Sequence, residues 1–539
     1  MNTYLGNKGY TILKKDLTIE KQVKIRNDLT IKPFLMGSQC NKMEDKIFPA
    51  YRESANKFYV PYYYGIENFG IPKEYKITEG DDINLVFNGK LRDYQEPVVN
   101  KFVNHCLNVK YGGGLLELYC AWGKTSASLN IITQLKKKTL VIVHKEFLMN
   151  QWIERITQFL PNARIGKIQG PIIDVEDKDI VIAMLQSISM KEYSPETFES
   201  FGFTIIDEVH HISSQVFSNS LFKIVTKYML GLSATMNRKD GTTNVFKMFL
   251  GDVIYKSKRD NDRSVTVRAI EYYVDDDEFN EVKLDYRGKP QYSSMISKLC
   301  EYNRRSEFIL KVLKDMFDEN PSQQIMILAH NKNLLKYLFD AITHRNIASV
   351  GYYIGGMKEQ YLKETETKQV VIATYSMAAE ALDIKTLTTL IMATPKTDIE
   401  QSIGRILREK HSNPIVVDII DSHNLFKNQW RKRKTYYKKE NYKIIYTTNS
   451  EYTTDLNKWH LIYQPKCNVK NQKEKKNKKK NISAKSNASI KSIIYEDDET
   501  NDDDDDDDAD EEEIIIEIEE PKKYKKNELR DDVCYLKIV

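Results

Sequence analysis

The sequence predicts an α/β fold: two tandem parallel-sheet lobes, with a small, mostly β region before them and a disordered, charged tail after them. Three observations predict it. Short β-rich apolar runs alternate with helical periods over 89–258, and again over 306–432. A hydrophobic share of 41% in 539 residues is enough to fill more than one core. Past residue 465 the composition turns into a lysine run followed by an aspartate run, neither of which can bury enough apolar surface to fold.

Residues 1–88 are rich in Tyr and broken by Gly and Pro; FYVPYYYGIENFGIP (58–72) has no helical period. This part is expected to be an accessory domain. In 89–258, LLELYC, TLVIVH, DIVIAML and FTIIDE suit strands buried on both faces of a parallel sheet. TSASLNIITQLKK and EFLMNQWIERITQFL supply the helices between them. Residues 259–305 are charged and irregular, with VDDDEFNEV inside, and are expected to be a connector. The second lobe, 306–432, opens on the amphipathic SEFILKVLKDMFDEN and continues with the strands QIMILAH, VVIAT, TLIMAT and PIVVDII. A basic and aromatic extension follows at 433–465, then the low-complexity tail at 466–539.

Net charge is only +4, so no global field announces a nucleic-acid binder. The six cysteines are scattered without a CxxC pair, which argues against a zinc site or disulfide framework and fits a reducing compartment. No apolar leader and no run of about 18 apolar residues is found. A soluble, intracellular protein without a membrane partner is expected.

The chemistry lies in short motifs. AWGKT falls between a strand and a helix, the place of a phosphate loop whose backbone N–H groups hold phosphates. The loop runs through Leu118, Tyr119, Cys120, Ala121, Trp122, Gly123, Lys124 and Thr125. Lys124 is expected to reach the β- and γ-phosphates of ATP, and Thr125 to ligate Mg²⁺. Asp207 and Glu208 end a buried strand, where side chains point into a nucleotide crevice. Asp207 is expected to hold Mg²⁺ and Glu208 to activate water. Arg92 and Gln95 precede the loop, and the Gln95 amide suits the edge of an adenine. In QSIGRILR, Gln401, Arg405 and Arg408 lie in one short segment, and the two arginines, three residues apart, share a helix face. An arginine entering from a second lobe can stabilise transition-state charge. Ser233, Ala234 and Thr235, together with His210 after the acid pair, are expected to couple that site to lobe movement. Phosphate contacts use short hydroxyls, amides and basic groups. His144, Lys145, Gln151, Trp152, Gln186, Ser187, Thr374 and Ser376 offer these near strand ends.

In this order, over 89–425, the motifs resemble those of superfamily 2 helicases. That resemblance implies two RecA-like lobes with ATP between them and nucleic acid across them. ELYCAWGKT is similar to the phosphate loop of XPB-type DNA helicases. LGLSATMNRKDG resembles their stretch ending in an Arg-Glu-Asp triplet, which puts Arg238, Lys239 and Asp240 at positions associated with unwinding. Asp383 matches the family's second-lobe acid, although Glu380 and Ala381 replace a common Arg-Gly. The overall look is nearest to the DNA helicases of large cytoplasmic DNA viruses, including the poxvirus type that acts in transcript release. The resemblance therefore implies a DNA-dependent ATPase in viral transcription, repair or recombination, located in the cytoplasm, viral factory or virion. An RNA helicase and a non-catalytic transcription scaffold are the alternatives. A 74-residue flexible tail spans about 45–50 Å. It could fold back on a nucleic-acid groove, keep the chain soluble, or dock transcription or repair machinery.

Overall fold

The computed structural model describes residues 2–33, 47–119, 121–194, 196–211, 214–236, 241–257, 265–286, 288–380, 384–407 and 413–465. Cys120, Arg238, Lys239, Asp240, Asp383, Arg408 and the tail lie outside the described residues.

Two eight-stranded sheets dominate. In the first, the strand order is Ile172–Ile173, Ile165–Gln169, Ile180–Met184, Thr139–Val143, Phe203–Ile206, Tyr228–Ser233, Gly112–Glu117, Val253–Lys256. All neighbours are parallel except the first pair. Thr139–Val143 is buried at every position, as a strand covered on both faces must be. The helices Lys124–Leu135 and Glu146–Phe159 pack on one face through Leu129, Ile132, Trp152 and Ile156.

The second sheet runs Val350–Tyr353, Val370–Thr374, Gln324–Ala329, Leu387–Met392, Ile415–Asp421, Thr266–Tyr272, Lys443–Thr448, His460–Tyr463. Only its last pair is antiparallel. Two expectations change here. Residues 259–305 are more than a connector, because Thr266–Tyr272 sits inside the sheet between Ile415–Asp421 and Lys443–Thr448. Residues 433–465 are not a separate extension either, since they finish the helix Asn424–Lys439 and add two strands. Arg433 and Tyr437, one turn apart in that basic and aromatic run, point into the core. Arg433 makes a bidentate pair with Asp418, Nε to Oδ2 and Nη2 to Oδ1, each at 2.8 Å. The Tyr437 hydroxyl donates to the same carboxylate at 2.8 Å.

The N-terminal region forms a five-stranded sheet with the helices Ile19–Asp28 and Tyr62–Phe69. It is fastened to the first lobe by its tyrosines. Tyr63 donates to Gly113 O at 3.0 Å and Tyr62 to Tyr111 O at 3.4 Å. Burial raises the pKa of both phenols, so they serve as neutral donors.

Candidate active site

The phosphate loop is built on conformations that few residues tolerate. Gly123 caps the helix Lys124–Leu135 with φ 92°, and a Cβ there would lie 2.3 Å from Gln95 Nε2. Ala121 is also left-handed, at φ 67°. The start of the loop is stitched to the sheet, with Leu118 N donating to Ser233 O at 2.8 Å. Tyr119 N donates to Ser257 Oγ at 3.1 Å. Leu118 and Trp122 are buried, so they shape the loop from below and present backbone, not side chains, to a ligand.

Gln95 is buried as well, and it braces the loop. Its Nε2 donates to Trp122 O at 2.9 Å and Gly123 O at 3.3 Å, and its Oε1 accepts from Arg92 N at 2.9 Å. An adenine contact by this amide requires exchange of those bonds. Arg92 is exposed, and its Nη1 donates to Tyr94 OH at 2.6 Å.

Across the crevice, Asp207 follows the strand Phe203–Ile206 and is 6% exposed. Its Oδ1 accepts from Glu208 N at 3.0 Å and its Oδ2 from Trp152 Nε1 at 2.9 Å. Burial, and then the Glu208 charge, push its carboxyl above the usual range, while Lys124 opposes them. Glu208 holds a left-handed backbone, φ 50°, and pairs with Lys124 from the phosphate loop. Lys124, Thr125, Asp207 and Glu208 thus belong to one crevice at the carboxyl ends of the first sheet. An ammonium, a hydroxyl, two carboxylates and a helix N-terminus fit a polyphosphate with a hard divalent cation.

The second lobe reaches this crevice through Gln401, on the helix Glu400–Ile406. Gln401 Nε2 donates to His210 Nε2 at 2.9 Å. That nitrogen therefore accepts, and the ring proton lies on Nδ1, which stands 2.6 Å from Ser233 Oγ. Ser233 in turn donates to Thr235 O and accepts from Thr235 N at 3.2 Å. Ala234 is buried between them. Arg405 lies on the same short helix and is 7% exposed.

The expected nucleic-acid residues divide. His144 and Lys145 follow the strand Thr139–Val143, and Gln186 and Ser187 lie in the first turn of the helix after its neighbour; Gln186 Nε2 donates to His144 O at 2.8 Å. Ser187 Oγ accepts from Gly170 N at 2.9 Å. Thr374 and Ser376 share a contact of 3.3 Å at a strand end of the second lobe. Gln151 is half-buried on the helix Glu146–Phe159. Trp152 is a correction: at 1% exposed it cannot meet nucleic acid, because its ring faces the core with Met149 and Ile156 and its N–H is spent on Asp207. The opposite side of that helix carries contacts the sequence did not single out. Asn150 donates to Glu359 at 3.0 Å and Lys363 pairs with Glu154 at 2.8 Å, both joining the two lobes. Asn150 and Glu154, four residues apart on a polar helix face, were the available signal.

Comparison with known proteins agrees with this geometry. The family described as "Type III restriction enzyme, res subunit" matches residues 88–238. An Acanthamoeba polyphaga mimivirus protein named "Putative ATP-dependent RNA helicase" is 35% identical over 459 residues, covering 82% of this chain and 86% of that one. An Invertebrate iridescent virus 6 protein named "Putative helicase" is 27% identical, covering 70% and 88%. An African swine fever virus protein, again named "Putative ATP-dependent RNA helicase", is 27% identical, covering 70% and 77%. No helix among the described residues is long and apolar enough to cross a membrane. With paired lobes, a phosphate loop facing an acid pair, and a relative of this identity across most of its length, the chain belongs to the superfamily 2 helicases, ATP-dependent enzymes of the kind found in large DNA viruses.

Proposed function

We propose that the chain is a DNA-dependent motor that couples ATP hydrolysis to movement on, or unwinding of, DNA during viral transcription or repair. One observation carries the motor reading: the relay Ser233–His210–Gln401 joins the acid segment of one lobe to a helix of the other. A change at the acid pair then alters the interface between lobes, as coupling requires.

Lys124 binds the β- and γ-phosphates, so its pairing with Glu208 yields when they enter. Thr125 and Asp207 hold Mg²⁺, which when bound neutralises phosphate charge. Glu208 takes a proton from the attacking water, a step worth about 10²–10⁴ in rate. Arg405, with Arg408 beside it in sequence, supplies positive charge from the second lobe, worth about 10³–10⁵ in other nucleotide hydrolases. His144, Lys145, Gln186, Ser187, Thr374 and Ser376 offer phosphate contacts on the two lobes, with Arg238, Lys239 and Asp240 expected near duplex DNA.

RNA is the second reading, and the printed names of the mimivirus and African swine fever virus relatives favour it. Steady-state ATPase with single-stranded DNA, duplex DNA and duplex RNA tests both. Stimulation by DNA supports the proposal. Stimulation by RNA alone transfers the function to RNA.

A further inference from the structure

We infer that Trp152 is a positioning residue for the Asp207 carboxylate, and that its indole N–H sets how readily the site takes Mg²⁺. The inference rests on the reading of Asp207 as the metal-holding acid. Its physical basis is the bond itself. Trp152 Nε1 lies 2.9 Å from Asp207 Oδ2, with Trp152 1% and Asp207 6% exposed.

An indole has one polar atom, and it only donates. A buried donor needs an acceptor, and this one is spent on a carboxylate at the end of a core strand. The other oxygen, Oδ1, accepts from Glu208 N at 3.0 Å. One directed bond on each oxygen fixes the rotation of the carboxylate and leaves lone pairs for a cation. The chemistry of the donor matters as well. A lysine or arginine at 152 would bring a charge that repels Mg²⁺, whereas an indole orients the acid and remains neutral. Its apolar body fills the core beside Met149 and Ile156.

The helix that carries Trp152 adds a second link. Its outer side meets the other lobe through Asn150 to Glu359 and Glu154 to Lys363. Its inner side holds Asp207. The helix Glu146–Phe159 therefore spans from the lobe interface to the metal acid, and the indole is its terminal contact.

The test uses the full chain with Trp152→Phe, which keeps an aromatic ring and removes the donor. Two quantities are read: the Mg²⁺ concentration that half-saturates ATP hydrolysis, and Mg²⁺-dependent tightening of a fluorescent, non-hydrolysable ATP analogue. Removing a partner of a metal ligand typically costs about 10–100-fold in metal affinity. Trp152→Phe is expected to raise the Mg²⁺ requirement about tenfold or more, with analogue binding in the absence of metal unchanged. An unaltered Mg²⁺ requirement together with a lower melting temperature would reduce Trp152 to a core residue and overturn the inference. Asp207→Asn is run beside it. Loss of Mg²⁺ dependence there, with none in Trp152→Phe, rejects only the role of Trp152. Unchanged Mg²⁺ dependence in Asp207→Asn rejects the metal-site reading and this inference with it. If Trp152→Phe does not fold, the benzothiophene analogue of tryptophan, placed at 152 by suppression, keeps the shape without the N–H. The same rise in Mg²⁺ requirement is expected, and its absence overturns the inference.

Discussion

Removing the contact between Gln401 and His210 should weaken the motor without weakening its hold on ATP. The bond is 2.9 Å long, partly buried, and joins two neutral groups. Such bonds contribute about 0.5–1.5 kcal/mol net, which is about two- to thirteenfold in rate. Gln401→Ala loses that bond alone. His210→Ala loses it together with the 2.6 Å contact to Ser233 and the 3.4 Å approach of Nδ1 to Glu208 Oε2, so its effect should be larger, about 1–3 kcal/mol. The assay is a double-mutant cycle on nucleic-acid-stimulated ATPase, with nucleotide binding measured in parallel. If the two side chains act through one another, the double mutant should resemble His210→Ala, with a coupling of about 0.5–1.5 kcal/mol. Effects that add within about 0.3–0.5 kcal/mol would refute the relay, because independent sites add that closely.

Three further outcomes follow from the geometry. Glu208→Gln should retain nucleotide binding and lose hydrolysis about 10²–10⁴-fold, read by single-turnover kinetics. Asp421→Asn should cost about 3–5 kcal/mol in denaturant unfolding, because it leaves Arg305, fully buried beside it at 2.6 Å, with an uncompensated charge. Burial, reinforced by Lys396, pulls the His330 pKa from 6.5 to about 3 in the folded chain. The unfolded chain then binds the extra proton between those values, so stability falls as pH drops from 6.5 towards 3, by at most about 1.4 kcal/mol per pH unit. Comparing unfolding of the wild type and His330→Asn at pH 7 and pH 5 should show the smaller loss in the variant.

The parallel strands were legible because they are short apolar runs, and the phosphate loop and acid pair because they end such runs. Thr266–Tyr272 was hidden by its charges. Arg268 and Glu271 read as connector residues, yet each is neutralised on site. Arg268 pairs with Glu319 at 2.6 Å, and Glu271 with Lys427 at 2.8 Å. A run of residues does not announce partners some 50 or 150 positions away, and only the partners make those charges tolerable in a sheet. Trp152 is a different case. The apolar period Met149, Trp152, Ile156 already placed it on the inward face, but its position after a strand end suggested a surface role. The basic and aromatic stretch at 433–465 misled for a related reason, since the turn from Arg433 to Tyr437 brings both onto one helix side, and that side faces Asp418.

Two fully buried aspartates give the second lobe the stiffness that the proposed relay requires. Asp418 and Asp421 lie on one strand, Ile415–Asp421, three residues apart, so they face opposite sides of the sheet. Asp418 grips Arg433 on the helix Asn424–Lys439, and Asp421 grips Arg305 on the helix Asn303–Glu319. Arg433 also donates to Lys396 O at 3.1 Å, and Arg305 to Ala393 O at 2.7 Å, so each guanidinium is tied to the segment that follows the neighbouring strand Leu387–Met392 as well. Both helices are thus clamped to one strand from opposite faces by charge-assisted, bidentate bonds. Breaking either clamp leaves a buried charge, which makes internal rearrangement of the second lobe far costlier than loss of the single neutral bond between Gln401 and His210. In the proposed motor, strain raised at the acid pair would relax at the lobe interface before it broke either clamp, and the second lobe would move as a unit.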